Sequence, residues 1–419
     1  MYLNIDLLKL TTIFSFIVVF SGCALLGLEE EEEEASTSSN SSGSTTSDDN
    51  DGAGNSQTYD SKISAFSNHT CIILSNGTVK CWGIGLAGAQ GDGSSTVRVT
   101  IPVTASGVSG AVDIATGWET SCALLSDYSV KCWGGNTTGS FGDGTIENTS
   151  TPVNVSSLSS LGIRSLTGGY SHICGLLNGT QPRCWGDGNG GQLGDGNNGF
   201  ICPGGDGCWD TPPVSPTGIS SVSSIAPGNS HTCFLLDSSN TVKCTGVNSA
   251  GQLGDGTTTN TTTPVQVSGL SGVAALATGY DHTCALLSDK TVKCWGENDD
   301  GQLGDGSNTS RSTPVLVDSL SNVTTLAAGA GHTCALLSDK TVKCWGKNDN
   351  GQLGDGSNTS RNTPVEVSSL SDAAALVAGA DHTCALLVDD TVKCWGGNTW
   401  GQLGNNSTNS SSVPVSVSL

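Results

Sequence analysis

Residues Gly279–Gly306 read GYDHTCALLSDKTVKCWGENDDGQLGDG. The stretch returns almost unchanged at Gly329–Gly356 and, with small changes, at Gly379–Gly404. More divergent copies lie upstream. The cysteine of each CWG-type segment falls at Cys81, Cys132, Cys184, Cys244, Cys294, Cys344 and Cys394, at intervals of 51, 52, 60, 50, 50 and 50 residues. Seven copies at a period near 50 define a repeat architecture, in which each unit buries its apolar surface against its neighbours.

Within one copy, HTCALL and TVKCWG are β-compatible runs joined by the polar turn SDK, which predicts a hairpin. A third run, VAALATG, precedes the hairpin, and a fourth, TPVLV, follows it, opening on a proline suited to a strand start. Between hairpin and fourth run, NDDGQLGDGSNTSRS is dense in Gly, Asp and Asn and reads as loop. Four short strands per copy, with no run long enough for an amphipathic helix, predict a propeller blade. The repeats open with SKISAFS and a hairpin that no PVxV strand precedes, and the chain leaves on Val413–Leu419, VPVSVSL. The expectation is that this last strand completes the first blade and closes the ring.

The pattern H-T-x-A-L followed by V-x-x-W-G-x-N-x-x-G-Q-L-G resembles the repeat of the regulator of chromosome condensation (RCC1) family, over roughly residues 60–419. The resemblance implies an all-β, seven-bladed β-propeller. It implies far less about activity, because one fold hosts many functions.

Ahead of the repeats, Lys9 precedes an apolar run from Leu10 to Phe20, then Ser21-Gly22-Cys23. Small residues before a cysteine resemble the lipobox of bacterial lipoproteins, with 1–22 as signal peptide and Cys23 as the lipid attachment site. An ordinary cleaved signal and an uncleaved anchor are the other readings, and the apolar run is short for a bilayer span. Residues 23–58, with the Glu29–Glu34 run and Ser/Thr/Asn/Gly-rich sequence, cannot build a core and predict a disordered tether. Residues 59–419 are then the propeller, lipid-anchored at a bacterial cell envelope and facing the periplasm or the exterior.

The net charge is −22, and seven of the 16 Lys and Arg sit at one repeat position: Lys80, Lys131, Arg183, Lys243, Lys293, Lys343 and Lys393. That balance speaks against a nucleic-acid-binding face, which needs clustered cations. The seven are read as solvating strand edges.

Of the 17 cysteines, 14 fall in pairs within the hairpins: Cys71/Cys81, Cys122/Cys132, Cys174/Cys184, Cys233/Cys244, Cys284/Cys294, Cys334/Cys344 and Cys384/Cys394. A short turn between partners brings the side chains within disulfide reach if the register allows, and an exported chain favours disulfides over free thiols or a metal site. Cys202 and Cys208, in the insertion GFICPGGDGCWD, predict a further local disulfide.

Six histidines stand two residues before the first hairpin cysteine, with Thr120 in the second copy. They read as structural residues hydrogen-bonded within their own blade. The Asp of each GDG reads as an Asx turn rather than a calcium ligand, because its spacing is not that of an EF-hand. No catalytic residue, metal site or cofactor is assigned. The predicted function is a non-enzymatic, monomeric binding or scaffold propeller that presents its loops to a protein or glycan, with Trp118, Phe200 and Trp209 as candidate contacts in the diverged copies. A regulator acting by enzyme inhibition is the alternative. Guanine-nucleotide exchange, which the family resemblance also raises, fits an exported chain less well.

Overall fold

The computed structural model describes residues 62–178, 180–198 and 212–419. Over them, seven antiparallel sheets follow one another in sequence order, six of four strands and the third of three. Blade five shows the plan. Its inner strand Val273–Thr278 pairs with His282–Leu287, which pairs with Val292–Gly296, which pairs with the outer strand Arg311–Leu316. In blade three, the copy with the insertion, the outer strand is reduced to a single bridge between Cys184 and Val214.

Period-two alternation decides which blade each side chain meets. From the second and third strands of blade five, Cys284, Leu286, Val292 and Cys294 face blade six and pack with its Ala335, Leu337 and Trp345. Ala285 and Trp295 point the other way, into blade four. The core is therefore a ring of inter-blade layers, which lets some 360 residues fold without one oversized centre.

The loop between third and outer strands earns its sequence the same way. Buried Asn298 accepts from the Leu303 amide at 2.9 Å and donates to the carbonyls of Ser307 and Thr309 at 3.1 and 3.2 Å. Leu303 is thereby held in the core between blades five and six. The Asp of each GDG is an Asx turn as expected: Asp305, for example, accepts from the Ser307 amide at 2.9 Å.

A polar knot crosses the junctions. The Gln302 carbonyl in blade five accepts from Trp345 Nε1 of blade six at 2.9 Å and from the Thr333 hydroxyl at 3.0 Å. Because that hydroxyl donates to Gln302, it accepts from His282 Nε2 of blade five, 2.9 Å away. The histidines thus bond across blades, not within their own: His69 to Ser121, His172 to Thr232, His231 to Thr283, His332 to Thr383 and His382 to Thr70. Between blades two and three the link is lost on both sides, since Thr120 stands in the histidine position and Ile173 in the threonine position.

The C-terminal strand does not complete the first blade. Blade one carries its own outer strand, Arg98–Thr104, and Ser411–Ser416 is the outer strand of blade seven. The run TIPVT after the first hairpin is the PVxV strand of that copy, so the elements were never shifted in register. The seam is closed as any other junction: Trp82 Nε1 donates to the Gln402 carbonyl at 2.9 Å, and Leu403 packs with Trp82, Ile63 and Ile72.

All seven hairpin cysteine pairs are disulfides joining residues directly opposite across the second and third strands, with Cα separations of 4.0–4.1 Å. They are fully buried and face the next blade. In the six four-stranded blades the repeated Lys lies on the third strand, between two partners, so it does not guard an edge; Arg183 of blade three is the exception, on a third strand met outside only by the Cys184–Val214 bridge. Cys23, the leader, the tether, and Phe200, Cys202, Cys208 and Trp209 lie outside the described residues.

Candidate partner-binding face

At one end of the ring, the seven turns between inner and second strands surround the mouth of a central channel. Each turn is built on G-x-[acidic or small]-H, except in blade one, which lacks the glycine, and in blade two, where Thr120 replaces the histidine. The glycine is required by crowding: a Cβ on Gly279 would stand 2.1 Å from His282 Cε1 and 2.5 Å from the Gly329 carbonyl oxygen. The turns are tied from blade to blade, with the Trp118 amide donating to the Tyr170 carbonyl at 2.8 Å and the Tyr170 amide to that of Gly228 at 3.1 Å.

The residue after the glycine projects over the mouth. It is Trp118 in blade two, Tyr170 in blade three and Tyr280 in blade five, but Asn229, Ala330 and Ala380 elsewhere. Blade one has Ser67 there and Phe66 in place of the glycine. These four aromatic residues converge from separate blades. Phe66 stacks on Tyr280 at 5.7 Å, Tyr170 meets Tyr280 edge-on at 5.8 Å, and Trp118 stacks on Tyr170 at 5.0 Å. Trp118 remains 42% exposed even though Tyr170 covers one face of its ring. Burial pushes the Tyr280 hydroxyl up to about 12, and nearby Tyr170, Asp381 and Asp281 add to the shift while a bond to Ser67 opposes it.

Beneath this cap lies a channel cavity of about 260 Å³, lined by the inner strands of all seven blades. Asp113 is the one charged residue among those lining it. Its two carboxylate oxygens accept from the amides of Ile114 and Leu166 at 2.9 and 2.8 Å, and burial raises it to about 7 against those bonds. A lone carboxylate held by backbone amides ties blade two to blade three, with no second titratable group lining the cavity beside it. The face as a whole offers stacking surfaces and carboxylates, which is the equipment of recognition.

Of the residues singled out from sequence, the structure places Trp118 in this cluster. Phe66, Tyr170 and Tyr280 were missed. Their signal was positional: each departs from the small residue that other copies keep at its place in the turn. Phe66, Trp118 and Tyr170 stand in the diverged copies, but Tyr280 stands in the near-uniform half, where no divergence of the copy draws attention to it.

The RCC1-like domain model matches residues 20–376, and RCC1 repeat models match 373–402 and 389–419. The ultraviolet-B receptor UVR8 of Arabidopsis thaliana is 32% identical over 180 residues, 42% of this chain and 39% of the receptor. The human E3 ubiquitin-protein ligase HERC2 is 29% identical over 232 residues, 53% of this chain but 5% of the ligase. The matches therefore span well under half of either relative. Among solved structures, human WBSCR16 superposes with a TM-score of 0.72 at 21% identity, covering 82% of this chain and 94% of that one. Prp20p of Saccharomyces cerevisiae, described with its binding properties to Gsp1p and histones, superposes at 0.69 and 22%, covering 87% and 89%.

Proposed function

This chain belongs to the RCC1-like domain family, and from that premise we propose that it is a binding propeller whose working surface is the aromatic mouth of the channel. The observation that carries the reading is the convergence of Phe66, Trp118, Tyr170 and Tyr280 from four blades onto one spot, with Trp118 left open to solvent. Exposed aromatic clusters on a rigid frame are how binding surfaces concentrate their energy. The frame here is rigid because every blade carries its own disulfide and six of the seven junctions carry the histidine link. A protein partner accords with Prp20p, and a glycan would also find stacking surfaces here.

In this reading the propeller is displayed at a bacterial cell envelope, held by a lipid on Cys23 through the acidic tether. Replacing Cys23 with Ser is expected to release the chain from membranes, and retention would refute the anchor. The binding reading is tested by capture from native envelope extract with the oxidised chain as bait. Saturable capture of one protein or polysaccharide is expected, reduced by Trp118→Ala or by deletion of residues 199–211. No enrichment over an unrelated propeller bait would overturn it.

A further inference from the structure

The charges at this end of the ring sort by sign. The cations standing here among the described residues are Arg98, Arg311, Lys347 and Arg361, and each is already engaged. Arg311 and Arg361 pair with Asp305 and Asp355 at 3.1 and 3.4 Å, Lys347 with Asp381 at 3.5 Å, and Arg98 lies over the Trp400 ring at 5.8 Å. The carboxylates are in surplus. Glu119 follows Trp118, and Asp281 follows Tyr280, in the turns that carry the aromatic cluster. Glu297 stands on the neighbouring loop, raised by burial and then by Asp281, Asp299 and Asp300 crowding it. Glu119 is raised by burial, and its charge reaches the Tyr170 hydroxyl.

An indole with one exposed side, next to carboxylates that no described cation neutralises, matches one chemistry in particular: a cation laid over the ring with an anion beside it. We propose that the mouth of the channel receives a basic segment of a partner polypeptide, one arginine or lysine side chain lying over Trp118 with Glu119 of the same turn as its counter-ion, and a second cation of the segment answered by Asp281 beside Tyr280. The inference rests on the binding reading above and narrows the partner. A neutral glycan would leave the surplus carboxylates unanswered, and an acidic partner would be repelled by them.

The test uses the oxidised full chain titrated calorimetrically with octa-arginine, octa-lysine and octa-glutamate peptides at about 0.15 M salt, where exposed charges further apart than about 8 Å are largely screened. Octa-arginine is expected to bind at one site and octa-glutamate not at all. Trp118→Ala and the pair Glu119→Gln with Asp281→Asn should each weaken octa-arginine roughly tenfold. A control neutralises Asp289, Asp339 and Asp389, in the turns at the opposite end, to Asn. Asparagine keeps the acceptor oxygen those turns use toward Thr291, Thr341 and Thr391. Its affinity should stay within about twofold of the parent. Equal loss in that control, or none in Trp118→Ala, would mean diffuse attraction to an anionic protein and would overturn the proposal, as would absence of octa-arginine binding. If the envelope partner is captured equally by the parent and by Trp118→Ala, the binding propeller stands and this site fails. If the parent captures nothing, the wider reading fails as well.

Discussion

Acid should unlock the ring through its histidines. In five junctions between blades, His Nε2 donates to a threonine or serine hydroxyl that itself donates to a loop carbonyl, as at Thr333 and Gln302. The ring's other nitrogen, Nδ1, is buried without a partner in all six histidines. A second proton would create a buried charge and an unanswered donor, so burial lowers His69 and His231 to about 4 and His172, His282, His332 and His382 to about 3. In the unfolded chain they return to about 6.5. The folded values are depressed, so their contribution is complete above about pH 6.5 and is lost as pH falls toward the folded values. Between pH 7.5 and 5.5 each histidine costs between about 1 and 2 kcal/mol, or about 8 for the six. Asp113 works the other way. Its folded value, raised to about 7, makes it more favourable as the solution acidifies, returning about 2 kcal/mol over the same interval. A net loss of about 6 kcal/mol is comparable to the whole stability of an ordinary domain. The measurement is the urea midpoint of tryptophan fluorescence, disulfides intact, at half-unit steps across that interval. His282→Gln should remove one histidine's share of that loss, between about 1 and 2 kcal/mol over the whole interval, the slope it removes approaching one proton only at the acid end. A midpoint unchanged from pH 7.5 to 5.5 would refute the argument.

The native chain should show no thiol among the seven hairpin pairs to a thiol reagent until it is denatured with reductant, since all fourteen sulfurs are buried in disulfides. Removing one staple by Cys284→Ala with Cys294→Ala should cost about 2–3 kcal/mol, read from the denaturation midpoint, and no change would discount loop closure as its role. Trp345→Ala should cost about 3–5 kcal/mol, because it empties the core between blades five and six and leaves the Gln302 carbonyl one donor short. Blade four has Thr245 in the tryptophan position and buried Phe234 where most blades have alanine, filling the same layer. Thr245→Trp alone should therefore destabilise, and Phe234→Ala should rescue it; a double variant worse than the sum of the singles would contradict the exchange.

The blade was legible because its periodicity is local: HTCALL and TVKCWG alternate inward and outward within six residues, and every copy repeats the statement. The staples were legible for the same reason, since a ten-residue spacing across a short turn fixes which residues face each other. Closure was misread because TIPVT was passed over as an outer strand in the first, divergent copy. The histidine bonds were misassigned because their partners lie about one full repeat downstream, and His282 in sequence gives no sign that Thr333 will reach it. The aromatic mouth was half visible. Trp118 stood out as a large residue in a variable copy, but Phe66 and Tyr280 become neighbours only when a seven-fold ring brings blades one and five across its axis.

Because Ser411–Ser416 stays with its own blade, the structural unit and the repeated stretch of sequence have the same boundaries. Blades one and seven meet at a seam made of the same kinds of contact as the other junctions, so no described blade depends on a strand donated from the far end. A chain of this kind can be re-cut. Joining its ends and opening the loop between any two blades would yield the same ring with a different starting point. At the level of the gene, an unequal exchange between the three near-identical copies would add or remove a complete blade, with its disulfide, its tryptophan and its loop intact. The near-identity of the last three copies is what recent duplication of such a self-contained cassette would leave behind.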